Sequence, residues 1–418
     1  MFRMSKIIVL SIFFLFSARP ILAEQTDFIT LHGFGSIGGA YQSNDNVLYR
    51  NSLNSINGSR GDFSFSNGTL LGLQLDVMPM DNLTFTLQGV ASDNNGNDEI
   101  VKIDWANVKY QFNDSFDLRV GRMRLPAFMF SDTLNVSYSY DWLRLPDMYG
   151  IVPFHSYQGI EANYTLSYFD FTIETKVLFG EESDTLRIID FIEDDKTQAF
   201  DVDAENIFGA MVEVSGENLK LRFGYTVLDF TIYSKAYREI ELYVQSTGIP
   251  LISETYNNFK IIDASLSYLE LGARYDWRDA YVIGEYIKIF SDSFAADTTS
   301  WYIGAGYRFE AFTPFITYSK TWSKSNYDNM RIPSTSPPPI QFAVISGNSI
   351  FNKIANNNLI SQETISIGLR YDVIENVALK VQYDLQKEYQ DTFSTNIHFN
   401  GEARGYLNIF GLSLCFVF

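Results

Sequence analysis

The final stretch of the chain, residues 405–418, constrains the fold more than any other part of the sequence. Every second residue from Phe410 to Phe418 is large and apolar, and the residues between them are Gly411, Ser413, Cys415 and Val417. A period of two places these two sets on opposite faces of a β-strand. Such a strand fits the closing strand of a membrane barrel, where pairing with the first strand leaves no open sheet edge. An ordinary strand of a β-sandwich is the alternative.

The N-terminus has the features of a Sec signal peptide. Arg3 and Lys6 precede an apolar run at residues 7–16, and the small residue Ala23 stands before Glu24. The run is too short to cross a bilayer as a helix, and its flanks do not suit an anchor. We therefore expect residues 1–23 to be removed and residues 24–418 to form a single barrel domain.

Composition narrows the class of protein further. The formal net charge is −19, which argues against a nucleic-acid partner. The single cysteine, Cys415, cannot form an internal disulfide. After the signal peptide no apolar run reaches the ~20 residues of a membrane helix. Aromatic residues make up 16% of the chain, as two interfacial aromatic girdles require.

The connections between strand-like segments alternate between short and long. Seven short turns and eight long loops make fifteen connections, and therefore sixteen strands. This alternation is typical of an outer-membrane β-barrel with both termini in the periplasm. The short turns are expected at 79–82, 113–115, 167–168, 216–218, 277–279, 310–311 and 374–376. The long loops are expected at 43–62, 93–99, 125–156, 180–205, 230–260, 290–299, 322–360 and 387–404.

Alternation within the strands predicts which face meets lipid. Leu83, Phe85 and Leu87 share one face, while Thr84 and Thr86 lie on the other. Apolar residues outside and polar residues inside are typical of a water-filled lumen. Parity breaks in the fourth strand, where we expect a bulge near Trp105. The aromatic residues close to the short turns, Tyr281 among them, are predicted to form the periplasmic girdle.

The third long loop, residues 125–156, is too apolar and aromatic to be a solvated external loop. Folding it into the barrel would bury its rings and narrow the pore. Its sequence, with DLRVGRMRLP at 117–126 and FSDTLNVSYSYDWLRLP at 130–146, resembles the Gram-negative outer-membrane porin superfamily, and within it a porin-like subgroup of γ-proteobacteria. The resemblance implies an all-β, 16-stranded antiparallel transmembrane β-barrel with an inward-folded third loop. The Pro-Glu-Phe-Gly-Gly type of motif of the general porins is absent, so their constriction carboxylates and their selectivity do not carry over.

Alternation also places a set of basic residues on the lumen side of the strands, and we predict that they line the pore. Porins set such basic residues opposite acids of the third loop, so the resemblance implies a transverse field across a constriction. Lumen carboxylates that neutralise the basic residues are the alternative. Arg122 and Arg124 share parity with lipid-facing residues and are expected above the membrane or at the mouth. The predicted lining residues are Arg119, Lys176, Lys220, Arg222, Arg274, Arg308, Arg370 and Lys380, and the predicted constriction residues are Asp132, Tyr138, Tyr140, Asp141, Trp142 and Asp147.

These patterns predict passive diffusion of small hydrophilic solutes or ions across the outer membrane. A substrate-specific channel, or a non-conducting barrel that serves as a receptor, adhesin or structural anchor, is the alternative. Catalysis is not expected, because His32, His155 and His398 share no strand pair with a serine and an acid. We expect no cofactor, and the acidic fourth loop (181–205) either is solvated or binds a divalent cation. The expected partners are outer-membrane lipid and lipopolysaccharide, the barrel-assembly machinery through Phe418, and two further copies in a homotrimer.

Overall fold

Sixteen long strands, here named β1 to β16, account for most of the structure. The computed structural model describes residues 28–45, 47–50, 57–92, 100–152, 154–189, 197–250, 253, 262–293, 296–324, 360–388, 397–399 and 405–418. The predicted signal peptide and residues 325–359 of the seventh long loop lie outside this description. The strands are β1 Ile29–Gln42, β2 Leu70–Met80, β3 Leu83–Ser92, β4 Val101–Asn113, β5 Phe116–Arg124, β6 Ser156–Tyr168, β7 Phe171–Ile189, β8 Thr197–Ser215, β9 Leu219–Ser234, β10 Ala264–Trp277, β11 Ala280–Ser291, β12 Asp297–Tyr307, β13 Phe312–Lys324, β14 Ser361–Ile374, β15 Val377–Glu388 and β16 Gly405–Val417.

The strands form one closed antiparallel barrel. Each pairs with its neighbours in the chain, and β1 pairs with both β2 and β16. Opposite Phe34 stands Val417, and the backbones of Gly33 and Phe418 exchange two hydrogen bonds of 2.8 and 2.9 Å. Closure satisfies the backbone groups that an open sheet would leave exposed at its edges. The predicted sixteen-stranded antiparallel barrel is confirmed.

Aromatic rings of β16 lie over glycines of β1 where the barrel closes. A Cβ atom added at Gly33 would lie 2.0 Å from Cζ of Phe418, and one added at Gly35 would lie 2.7 Å from Cζ of Phe416. The two rings are stacked with their centroids 6.4 Å apart. The glycines therefore leave the space that the terminal rings occupy.

The two faces of the barrel wall differ as the alternation predicts. Leu87, Phe223 and Ile303 are each about half exposed on one face, which we call the apolar face. Their neighbours Gln88, Arg222 and Tyr302 are buried on the opposite face. Exposed apolar side chains in alternation are typical of strands that meet lipid.

Two predicted boundaries are wrong, and one helix was not predicted. The fourth loop is far shorter than predicted, because β7 and β8 remain paired as far as Ile189 and Thr197. Buried Val202 and Ala204 alternate with acidic residues there, and the high charge of this strand led to its prediction as a loop. The turn expected at 167–168 lies at 169–170, where Phe169 takes a φ of 52°. The fifth loop contains a helix, Lys235–Thr247, that the sequence analysis did not predict.

Two further local predictions have clear outcomes. The bulge in β4 is confirmed, since Gln88 pairs with Trp105 and Gly89 with Ile103, which leaves Asp104 unpaired. Tyr281 was placed in the periplasmic girdle, but only 2% of it is exposed, and it lies on the opposite face. No helix among the described residues is long and apolar enough to cross a membrane.

The first and eighth connections meet beside the closing strands. Val47–Tyr49 pairs with Ile397–Phe399 in a small antiparallel sheet. Tyr49 is buried with Ala40, Leu407 and Ile409 in a small apolar cluster. This cluster brings the first connection close to β1 and β16.

Candidate functional site: the third loop and the wall it covers

The third loop, residues 125–155 in the structure, packs its aromatic residues against the wall. Trp142 donates from Nε1 to Oγ1 of Thr317 at 2.7 Å, and its ring meets Tyr302 and Phe315 edge to face. The loop and the opposite face of the wall share one apolar cluster, which includes Ile283 and Ile287 of β11. Burial of these rings explains why a long connection is ordered.

Lys380 of β15 lies beneath the loop and binds its backbone. Its ammonium group donates to the carbonyl oxygens of Tyr140 at 2.6 Å, of Trp142 at 2.9 Å, and of Ser137. Lys380 is fully buried, and the Tyr140 ring lies 4.8 Å from its nitrogen. A buried cation needs hydrogen-bond acceptors around it, and the three carbonyl oxygens supply them. Removing Lys380 would leave these carbonyls without their donor.

A carboxylate on β11 fastens the two arms of the loop. Glu285 accepts hydrogen bonds from the backbone N–H of Met129 at 2.8 Å, from the Tyr302 hydroxyl at 2.6 Å, and from the Tyr149 hydroxyl. Met129 and Tyr149 are 20 residues apart in sequence numbering, so one side chain joins the beginning and the end of the loop. The sequence analysis did not single out Glu285.

Arg144 attaches the loop to β15 and β16. Its guanidinium donates to Oδ2 of Asp384, and Oε1 of Gln382 accepts from the backbone N–H groups of Leu143 at 2.9 Å and Arg144 at 3.2 Å. A Cβ atom added at Gly411 would lie 2.2 Å from Nη1 of Arg144. The small residue on the closing strand therefore makes room for this arginine.

The bulge in β4 directs a carboxylate towards the same loop. Asp104 accepts from Arg124 of β5 and from Nδ2 of Asn135 at 2.6 Å. Arg122 forms two bonds of 2.7 Å with Glu182 of β7. The expectation that Arg122 and Arg124 lie above the membrane or at the mouth stays a prediction, and the structure adds that both arginines pair with acids. Gly121, next to Arg122, takes a φ of 130°, a conformation that favours glycine.

All eight predicted lining residues contact an acid or a loop carbonyl. Lys176, Arg222 and Lys380 are buried beneath the third loop, whereas the others keep part of their side chains accessible. Burial of three of them was not predicted. Their contacts are Arg119 to Glu161 or Asp117 (3.7 Å), Lys176 to Asp132 or Glu161 (3.7 Å), Lys220 to Glu213 (2.7 Å), Arg222 to the Pro126 carbonyl (2.9 Å), Arg274 to Asp276 (2.8 Å), Arg308 to Asp276 (2.7 Å), Arg370 to the Tyr138 carbonyl (2.8 Å), and Lys380 to the loop carbonyls.

The predicted constriction residues also touch the wall. Asp132 lies 3.7 Å from Lys176, and Asp141 lies 3.6 Å from Arg370, whose guanidinium stacks on the Tyr138 ring at 4.6 Å. Asp147 accepts from the hydroxyls of Ser319 at 3.2 Å and Thr364 at 2.5 Å, and burial raises its pKa. Direct pairing of this kind is the alternative in which acids and basic residues neutralise one another.

The acidic residues of the predicted fourth loop, which would be solvated or would bind a divalent cation, lie mostly on paired strands. Asp201 and Asp203 lie on β8 and accept from the hydroxyls of Thr185 and Ser183 on β7. In the described part of the chain, no group of three or more His, Cys, Asp or Glu side chains is placed to hold a metal ion.

Strand parity places Glu285, Gln382 and Asp384 on the lumen side, but sequence reasoning did not predict that they and Arg144 fasten the loop. One signal for them was present in β11. Tyr281, Ile283 and Ile287 occupy the face that should be polar, so an apolar partner had to cover it. The small residues of β16 were a second signal, because they mark where the loop approaches most closely.

Comparisons with known proteins agree with this architecture. A family model described as Gram-negative porin matches residues 11–392 of the chain. A search of curated proteins finds no match. Among solved structures, the outer membrane channel DcaP of Acinetobacter baumannii superposes with a TM-score of 0.56 at 11% identity, over 93% of this chain and 97% of that one.

Two other solved structures give similar values. An anion-selective porin from Comamonas acidovorans has a TM-score of 0.54 at 15% identity, over 93% of this chain and 99% of that one. OmpF of Salmonella typhi, in a complex with daunomycin, has a TM-score of 0.52 at 11% identity, over 93% and 97%. At these identities the structures show a common fold alone. The family match spans nearly the whole sequence, and the chain therefore belongs to the Gram-negative porin family of outer-membrane channels.

Proposed function

We propose that the protein is a passive diffusion channel for small hydrophilic solutes, narrowed by its third loop. One observation carries the proposal. The loop bonds at the same time to Asp104 on β4, Arg222 on β9, Glu285 on β11, Thr317 on β13 and Lys380 on β15. These strands are distributed around the ring of a closed barrel, so a single segment reaches all of them from the interior. The family and the fold point to a channel.

The basic residues then have two roles. Lys176, Arg222 and Lys380 hold the loop against the wall, since they are buried beneath it. Arg119, Lys220, Arg274, Arg308 and Arg370 line the remaining lumen, each with an acidic partner close by. Such paired charges produce short-range dipoles and a weaker net field than unpaired arginines would.

Orientation and assembly follow from the same proposal. Short turns face the periplasm together with both termini of the mature chain, and residues 1–23 direct export. Phe418 is the contact for the barrel-assembly machinery, while the apolar face meets lipid and the external loops meet lipopolysaccharide. OmpT of Vibrio cholerae, another structure with this fold, is described in a trimer form, and we extend a homotrimer to this protein.

Recordings from planar lipid bilayers test the proposal directly. Purified protein should produce stepwise increases in conductance, in multiples of three if trimers insert. Bilayers into which the protein inserts but which show no conductance would contradict the channel function. That outcome would favour a non-conducting barrel that acts as a receptor, adhesin or anchor.

A further inference from the structure

A cavity remains between the third loop and the wall strands β1–β7 and β13–β16. Its volume is about 300 Å³. A water molecule takes up ~30 Å³ in the liquid, so the cavity has the volume of roughly ten water molecules, which a small solute could replace. Tyr49 of the first connection and Tyr140 of the third loop contribute aromatic rings to its lining.

The charges that line this cavity occur as pairs. Three of the described lining residues are cations, and each contacts a lining carboxylate: Lys102 with Asp184, Arg124 with Asp104, and Arg144 with Asp384. The side chains of the second and third pairs are at most 7% exposed. A buried pair separates at a high cost, because each partner would be left as a buried charge without its countercharge.

Apart from tyrosines, the remaining titratable groups of the described lining are His155 and Asp147. Burial lowers the pKa of His155 to about 3, and the neighbouring Arg124 and Lys102 act in the same direction. The imidazole is therefore neutral at neutral pH. Burial raises the pKa of Asp147, which also accepts hydrogen bonds from Ser319 and Thr364. The Asp147 carboxylate thus already has hydrogen-bond donors, and the neutral His155 offers no positive charge to an anion.

Hydroxyl and amide groups make up much of the rest of the described lining. Ser36, Asn135, Ser366 and Ser413 face the cavity together with Tyr49. Paired carboxylates still have lone pairs to accept hydrogen bonds, and hydroxyl groups both donate and accept. Convergent polar groups around aromatic rings suit a solute that has many hydroxyl groups and some apolar surface.

We propose that this cavity is a solute subsite that selects uncharged polyhydroxylated molecules, of the carbohydrate class, over ions of the same size. The inference rests on the proposed channel function and specifies its solute class. A neutral sugar forms hydrogen bonds with the lining and leaves the ion pairs intact. A carboxylate or ammonium solute would lose its hydration on entry, and the lining cations and their carboxylates already pair with one another.

Swelling of protein-containing liposomes measures the first consequence. The solutes are glucose, gluconate and protonated glucosamine, which have similar sizes and carry zero, negative and positive charge. Glucose should enter roughly tenfold faster than either ion, the ratio that corresponds to ~1.4 kcal/mol. Entry of gluconate or glucosamine at the rate of glucose would overturn the inference. Liposomes that do not swell with any solute, like bilayers that stay silent, would instead contradict the channel function.

Single substitutions in one ion pair provide a second, independent test. Lys102→Met leaves Asp184 without its cation, and Asp184→Asn leaves Lys102 without its anion. In a potassium chloride gradient, the wild-type reversal potential should lie near zero. The first variant should shift it towards cation selectivity, and the second towards anion selectivity. Both variants retain conductance steps if they fold, and a double variant that carries both changes should return the reversal potential to the wild-type value.

Three results of this second test would overturn the inference. The wild-type channel could already select strongly for one ion, the two variants could shift the potential in the same direction, or neither could shift it. Arg60→Met is the matched control. Arg60 is exposed and is not part of the described cavity lining, so this change should leave both the reversal potential and the glucose rate as they are.

Discussion

At the scale of single residues, what covers a lysine decides its role. Lys220 and Lys380 both follow the alternation that predicts a pore-lining position. Lys220 keeps 42% of its side chain exposed and pairs with Glu213, whereas Lys380 is buried against loop carbonyls. In the proposed channel, the first would contribute to the electrostatics of the lumen, and the second holds the loop in position. Sequence parity alone does not separate them, because it reports only the face of a strand.

Lys380→Met should therefore loosen the third loop. Three carbonyl groups lose their donor, at roughly 1–3 kcal/mol for each buried group that stays unsatisfied. Single-channel recordings should show a larger and noisier conductance. Lys220→Met is the matched control and should change ion selectivity while the noise stays at the wild-type level. Equal noise in both variants would contradict the anchoring role of Lys380.

Trp142→Ala should have a related effect through packing. The ring fills space between Tyr302 and Phe315, and truncating a buried aromatic residue costs about 3–5 kcal/mol. Cleavage of the third loop by an added protease should become faster than in the wild type. Trp322→Ala, at a partly exposed position on β13, should leave the cleavage rate unchanged. Protection of the loop in the Trp142 variant would show that packing there is dispensable.

At the scale of elements, the sequence predicts a strand well where one of its faces meets lipid and the other meets solvent. The number of strands, their order and the bulge in β4 follow from period and turn residues. The β7–β8 hairpin was missed because Asp201 and Asp203 gave a strand the composition of a loop. The attachments of the third loop were missed for a different reason. Glu285 and Arg144 contact residues that are distant in sequence, and a single sequence does not indicate such contacts.

The junction of β1 with β16 gives a prediction at this scale. Gly33→Val places side-chain atoms where the Phe418 ring lies, so the closing strand cannot pair normally. The assembled fraction, measured as heat-modifiable mobility in gel electrophoresis, should fall. Gly89→Val is the matched control, because a Cβ atom there meets its nearest neighbour only at 3.6 Å. A Gly33 variant that assembles as well as the Gly89 variant would contradict the importance of this fit.

At the scale of the whole molecule, the face of the wall opposite the apolar face is asymmetric. One part of the opposite face is apolar and lies under the third loop, with Leu178, Ile283 and Phe315 in a common cluster. Another part carries polar residues such as Gln74 and Gln88, which bond to each other at 2.8 Å. Strict alternation predicts a uniformly polar face, whereas this face has one apolar part and one polar part.

Charge on the two faces of one strand should have unequal effects on stability. Leu87→Arg places a cation on the apolar face of β3 and should cost about 2–4 kcal/mol if the residue lies near the bilayer centre. Thr86→Arg places it next to Asp76 on the opposite face and should cost little. Urea-induced unfolding in lipid vesicles measures both values. Similar losses in the two variants would contradict the assignment of the faces.

The fit of two rings over two glycines also restricts how the barrel can finish assembling. If β16 moved by two residues in one direction, Phe418 would face Gly35 but Phe416 would face Ile37; in the other direction, Phe416 would face Gly33 but Phe418 would face Leu31. A slip of one residue would turn both rings to the wrong side of the wall. Only one alignment accommodates both rings. Phe416 and Phe418 together thus fix the register between β1 and β16.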